Sequence, residues 1–143
     1  MIRRLRGLRR DSAGSTIIEF AILAPAIVTL FLGILQVGMW MQSYNALRSV
    51  AADTGRYTAV QYQRVNKISN IAMATWARNR AIDVYLFKAE NISTDVTDSA
   101  NQRIVGVTEK TLTVTATYKS IMSIVGIGDQ TVTFARPIFV KAN

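Results

Sequence analysis

Residues 17–41 read IIEFAILAPAIVTLFLGILQVGMWM, and this run decides the architecture. It is apolar apart from Glu19, Gln36 and small residues. The uncharged stretch is longer still, since 28 residues from Phe20 to Leu47 carry no charge. A helix needs about 20 predominantly apolar residues to cross a bilayer, so the run is long enough to span. It is too long for the apolar core of a cleaved secretory signal, which is about 7–15 residues. A cleaved secretory signal needs a small-x-small site just after its apolar core, and Ala24-Pro25-Ala26 instead falls in the middle of this run. Immediately before it, residues 1–14 hold five arginines (Arg3, Arg4, Arg6, Arg9, Arg10) against one acid, Asp11. The positive-inside rule then leaves the N-terminus in the cytoplasm and the rest of the chain beyond the membrane. Neither Arg3-Arg4 nor Arg9-Arg10 leads directly into the apolar core, which argues against twin-arginine export.

The whole-chain averages make sense against this layout. The chain has 143 residues, is 50% hydrophobic, and carries a formal net charge of +8. Mean hydropathy is +0.20. A basic balance of this size raises nucleic acid as a partner, but half the excess sits in the arginine leader beside a membrane run. Nucleic acid is therefore disfavoured. The chain has no Cys and no His. That excludes disulfides, zinc sites built on those residues, and His-based triads or Cys nucleophiles. No Ser/Lys or paired-carboxylate spacing supports a hydrolase. No enzyme activity, cofactor or metal site is expected.

The junction Ser12-Ala13-Gly14-Ser15-Thr16-Ile17-Ile18-Glu19-Phe20 is the most informative segment. An acid in an apolar helix is costly at mid-bilayer and cheaper near the interface. Glu19 could simply reach headgroup water. Cutting after Gly14 gives it a partner: Ser15 becomes a free amine one helical turn away, and pairing offsets the desolvation of the carboxylate.

A basic leader, Gly14, four uncharged residues, Glu19-Phe20 and a long apolar helix together resemble the class III signal of type IV pilin-like proteins. Within that group the chain resembles the TadE-like pseudopilins of tight-adherence (Tad/Flp) pilus systems. The resemblance runs from about Ser12 to Tyr57. It includes Pro25, the Gly38 region and Ala51-Ala52-Asp53-Thr54-Gly55-Arg56. Two departures are Gln36, where relatives often carry Glu, and the missing Ala between Gly55 and Arg56. The resemblance implies a minor pilin or pseudopilin that supports assembly or initiation of a pilus. It implies a prepilin peptidase cutting between Gly14 and Ser15, where a residue without Cβ lets the backbone approach closely. Glu19 and Phe20 would register the subunit in assembly, and Pro25 would kink the helix. The implied partners are the peptidase, other pilins or pseudopilins, the inner-membrane assembly platform and membrane lipid. The implied location is the bacterial inner membrane, with a periplasmic head that can enter the extracellular pilus. The alternative is an uncleaved single-pass membrane-anchored periplasmic binding or sensor module.

The expected organisation is a leader (1–14), a membrane and assembly helix (15–41), and an extracytoplasmic α+β head (42–143). The first helix should continue through about 42–61, because Leu47, Val50, Ala51, Thr54, Tyr57 and Thr58 share one face. A second helix is expected over 64–88, with Ile68, Ile71, Ala72, Trp76, Ile82, Tyr85 and Leu86 as its apolar stripe. Asn91–Gln102 reads as a loop or short edge strand, and Asp95 and Asp98 lack the spacing of a calcium loop. Strands are expected at 104–108, 111–118 and 130–140, with Glu109-Lys110 turning the chain and Pro137 breaking or bulging the last strand. The strict Thr/apolar alternation of 111–118 is the clearest strand signal. The fold class is therefore α+β: a long N-terminal helix, a second helix, and a small antiparallel sheet.

Overall fold

The computed structural model describes residues 12–64 and 66–141. Most of the leader, residues 1–11, lies outside the described residues. The fold is α+β, as expected. Helix α1 (Ser12–Gln63) runs for 52 residues, about 78 Å at 1.5 Å per residue. It stays helical through Pro25, where Thr29 Oγ1 donates to the Pro25 carbonyl at 2.8 Å. Helix α2 (Asn70–Asp83) and strands β1 (Ile92–Asp98), β2 (Val107–Tyr118) and β3 (Gln130–Lys141) complete the head. The sheet is an antiparallel meander in the order β1-β2-β3.

The upper half of α1 and the whole of α2 cover one face of this sheet. A three-stranded layer needs such a cover to be stable. Leu47, Val50, Ala51, Thr54 and Thr58 of α1 are buried, as their spacing predicts, and Tyr57 is half-buried. Leu47, Val50 and Ala51 meet Leu112, Val114 and Ala116 of β2 and Val132, Ile138 and Val140 of β3 in one cluster. The opposite sheet face is rich in threonine, with Thr115–Thr133 and Thr117–Thr131 hydroxyl pairs at 3.1 and 3.3 Å.

The second helix is shorter than the expected 64–88. Ser69 stops it on the N-terminal side: its backbone is extended and its hydroxyl accepts from the Ala72 N–H at 3.1 Å, a strong N-cap arrangement. At the other end Leu86 adopts φ 59°, a left-handed conformation that cannot continue a helix. The expected stripe is the buried face only in part: Ile68, Ile82 and Tyr85 pack against the core, but Ile71 and Leu86 do not. Met73, Ala77 and Ala81 point inward, while Ile71 is 79% exposed and Leu86 83% exposed. Two small alanines let α2 approach its neighbours closely, and that choice of face turns Ile71 outward. Trp76 is half-buried, stacked on Tyr57 of α1 at 4.5 Å.

The first strand is Ile92–Asp98, not 104–108. The polar stretch is thus an edge strand, with Ile92 and Val96 buried and Thr94 Oγ1 donating to the Ala74 carbonyl of α2 at 2.8 Å. Ile104–Gly106 instead forms the turn into β2, where Gly106 takes φ 79°. Glu109-Lys110 does not turn the chain; both residues sit inside β2 and are buried. Pro137 neither breaks nor bulges β3. It faces Thr111 in a register that is uniform from Val107–Lys141 to Tyr118–Gln130. An edge strand tolerates proline because the missing N–H need not face a neighbour.

Candidate functional site

The lower half of α1 projects from the head with its apolar side chains uncovered. Ile17, Ile18, Phe20, Ile22, Leu23, Leu30, Phe31 and Ile34 are all more than half exposed. A contiguous apolar surface of this kind marks a membrane or protein contact. By length and composition α1 can cross a membrane, and none of its apolar window is buried within the chain. This suggests a membrane anchor.

At the lower end, the Gly14–Ser15 bond lies in the first turn of α1. The Ser15 hydroxyl donates to Glu19 Oε1 at 3.0 Å. The two side chains therefore face each other one turn apart. Glu19 and Phe20 are exposed, with Phe20 at 67%, so both are available to a neighbour. Pro25 sits higher on the same helix, and the structure does not bring it to the Ser15–Glu19 pair.

At the upper end of the apolar run, the head clasps α1. Gln36 is only 8% exposed, and its Oε1 accepts from the Ile121 backbone N–H at 3.1 Å. Ile121–Val125 forms a short 3-10 turn between β2 and β3, and its Met122 side chain lies over Gly33. Tyr118 lies beside Gln36. Burial pushes the Tyr118 phenol above its ordinary pKa, and the neighbouring Gln36 side chain opposes that shift. Above this point Trp40 stacks on Tyr44 at 5.7 Å, and Tyr44 meets the edge of Phe134 at 5.6 Å.

Two polar clusters lock the head together. Asp53 of α1 receives Arg80 Nε of α2 at 2.9 Å and the Tyr85 hydroxyl at 3.3 Å. Arg80 also lies over the Trp76 ring. On the far side of α2, the Lys110 ammonium of β2 bonds Asn70 Oδ1 at 2.7 Å and pairs with Asp98 of β1. The Lys110 and Asn70 bonds hold the Asp98 carboxyl below its ordinary value. Asp98 is therefore a tie between β1, β2 and α2. At the turn before β2, Arg103 forks onto Glu109 and depresses the Glu109 carboxyl in the same way. Among the described residues, no group of three or more acids comes together as a metal site.

The clasp between Gln36 and Ile121 was not legible in the sequence. Gln36 stood out as a polar residue in an apolar run, but nothing local pointed to a partner 85 residues away. Asp53 lies within the recognisable segment, but its partner Arg80 is 27 residues away and Tyr85 reads as part of an apolar stripe.

The apolar helix, the Ser15–Glu19 pair and the Asp53–Arg56 segment all lie within residues 14–56. The family model for TadE-like proteins matches those residues. Over this segment the chain resembles TadE-like proteins. The match ends inside the upper part of α1, so α2 and the whole sheet lie beyond it. No curated protein and no solved structure matches the chain. The TadE-like family suggests a Tad pilus-associated protein that interacts with other pilus components.

Proposed function

We propose that this chain is a minor pilin or pseudopilin that supports assembly or initiation of a Tad/Flp-type pilus. The observation that carries the reading is the uncovered apolar half of α1 with the Ser15–Glu19 pair at its start. A prepilin peptidase cuts after Gly14, leaving Ser15 as the new N-terminus. Because the Gly14–Ser15 bond lies in the first turn, and helix ends fray, the bond opens without unwinding the spanning segment. The new amine then sits within a turn of the Glu19 carboxylate, on its own helix or opposite a neighbour's.

In this reading the protein is a substrate and a structural subunit, not a catalyst. The spanning half of α1 holds it in the inner membrane with the head on the periplasmic side. During assembly the exposed face, led by Phe20, exchanges lipid contacts for those of other pilins. Intact-mass measurement on protein from membranes containing the peptidase tests this. The expected chain begins at Ser15. A chain still beginning at Met1 overturns processing and favours an uncleaved anchored module.

A further inference from the structure

The turn between β2 and β3 carries a second apolar surface, separate from α1. Ser120–Gly128 (SIMSIVGIG) contains no charged residue and is bounded by Lys119 and Asp129. Ile124 is 87% exposed, Val125 46% and Ile127 40%. These residues do not belong to the head's core, whose members come from the helices and strands.

The position of this turn along α1 says what covers it. Met122 rests on Gly33, and the Ile121 N–H bonds Gln36. From Ile17 to Gln36 the helix rises about 28 Å at 1.5 Å per residue. The hydrocarbon core of a bilayer is about 30 Å thick. A membrane that accepts the apolar run from Ile17 upward therefore has its outer boundary at the level of the turn. Trp40 and Tyr44 follow just above, the residue types enriched at that boundary. Lys119, which precedes the turn, is exposed, as expected for a flanking charge.

The backbone of the turn is also prepared for an environment without water, where each unpaired polar group is costly. Ser120 N–H donates to Asp129, Ile121 N–H to Gln36, and Met122 N–H to the Ser120 hydroxyl. Gly126 N–H reaches the Ser123 carbonyl at 3.1 Å and Ile127 N–H the Met122 carbonyl at 3.2 Å. Gly126 closes this turn at φ 84°, a conformation that disfavours other residues.

We infer that the 120–128 turn is a second membrane contact, dipping Ile124, Val125 and Ile127 into the outer lipid boundary beside α1. Two contacts, the helix and the turn, fix the depth and rotation of the head over the bilayer. A single helix alone would leave the head free to turn about its axis. The inference rests on the membrane-anchor reading of α1.

The absence of cysteine makes the test direct. Single-cysteine variants Phe31→Cys, Ile124→Cys and Ile71→Cys of the full chain are labelled with an environment-sensitive nitrobenzoxadiazole dye. Each is reconstituted into phosphatidylcholine/phosphatidylglycerol vesicles at high lipid excess. Quenching is read with shallow and deep nitroxide lipids and with iodide on both sides. All three side chains are exposed in the chain, so the label does not disturb the fold. The Ile124 label should be blue-shifted, quenched by shallow nitroxide and protected from iodide. The Phe31 label should respond to deep nitroxide, and the Ile71 label to iodide alone. An Ile124 label as iodide-sensitive as Ile71, with Phe31 still in lipid, overturns the inference and leaves the anchor standing. An Ile124 label shielded from both quenchers overturns it too, because protein then covers the turn. A Phe31 label open to iodide removes the anchor itself, and the inference with it.

Discussion

Gln36, within the apolar run of α1, accepts a hydrogen bond at 3.1 Å from the backbone N–H of Ile121, 85 residues later in the chain. This contact ties the apolar run to the head at the level where Met122 lies over Gly33. Replacing Gln36 by alanine removes the acceptor and leaves the Ile121 N–H without it in a part-buried position. An unsatisfied group of this kind costs about 1–3 kcal/mol. Thermal unfolding of the purified chain in detergent should show the loss, with the 120–128 turn gaining amide exchange before β2 does. Unchanged stability and exchange would mean the contact is incidental.

Asp53 joins α1 to α2 through Arg80 and Tyr85. Arg80 is 38% exposed and Asp53 22%, so solvent screens the pair. Exposed pairs are worth about 0.2–1 kcal/mol, and the value here should lie toward the upper end because Asp53 also accepts from Tyr85. A double-mutant cycle with Asp53→Ala and Arg80→Ala should give a coupling energy of that size. Additive effects would show that the two helices are held by the Tyr57–Trp76 stack and the core alone.

How far these features could be read in advance depends on whether their cause is local. The long apolar part of α1 is legible because hydropathy and length are properties of the segment itself. Its upper half is legible because Leu47, Val50, Ala51, Thr54 and Thr58 repeat at helical spacing. β2 is legible through its Thr/apolar alternation. β1 is not, because only Ile92 and Val96 are apolar, and Thr94 faces inward through a hydrogen bond to α2 that no sequence pattern announces. The inward face of α2 is hidden for a related reason. Ala77 and Ala81 carry a weak hydrophobic signal, and the larger Ile71 outweighs them on any apolar scale while pointing to solvent. Glu109 and Lys110 look like turn residues until Arg103, Asn70 and Asp98 supply their partners. At the candidate site, the Ser15–Glu19 contact follows from local helical spacing, whereas the Gln36 clasp arises only when β2 and β3 bring their connecting turn to α1.

The core and the exposed apolar turn before β2 should respond oppositely to truncation. Leu112 is fully buried between the sheet and its helices, so Leu112→Ala should cost about 2–5 kcal/mol. Val105, fully exposed at the tip, should tolerate Val105→Ala within about 0.5 kcal/mol. Chemical denaturation of the two variants checks this, and a large effect at Val105 would mean that the tip is covered in solution.

Acid should loosen the sheet edge and the turn before β2. Asp98 is depressed below its ordinary 3.8 by Lys110 and Asn70, and Glu109 below its ordinary 4.5 by Arg103. A depressed carboxylate contributes stability that is fully present above its unfolded value and is lost as pH falls through the folded one. Stability should therefore be level, for these two groups, above the ordinary carboxylate range and decline below it. Asp98→Asn and Glu109→Gln should each flatten that decline in denaturant midpoints measured across acid pH. An acid limb unchanged by both would place the loss in other carboxylates.

Glu19 separates the assembly reading from a passive interfacial acid. It is exposed, bonds Ser15 one turn away, and lies well below Gly33 and Gln36, where the head meets α1. Glu19→Ala should therefore leave the unfolding of the head unchanged. Cleavage should also persist, because Gly14 and the flanking backbone are intact. On the proposed function, the variant loses the carboxylate that would face the Ser15 amine freed by cleavage, so that amine would enter a packed apolar assembly without its counter-charge, a costly state. Assembly should fall sharply while the processed protein accumulates in the membrane, and Glu19→Asp should recover part of it. Mass spectrometry of the membrane fraction and counting of surface pili read these outcomes separately. Normal piliation with Glu19→Ala would leave the carboxylate with no assembly role, since neither the fold nor the cleavage site depends on it.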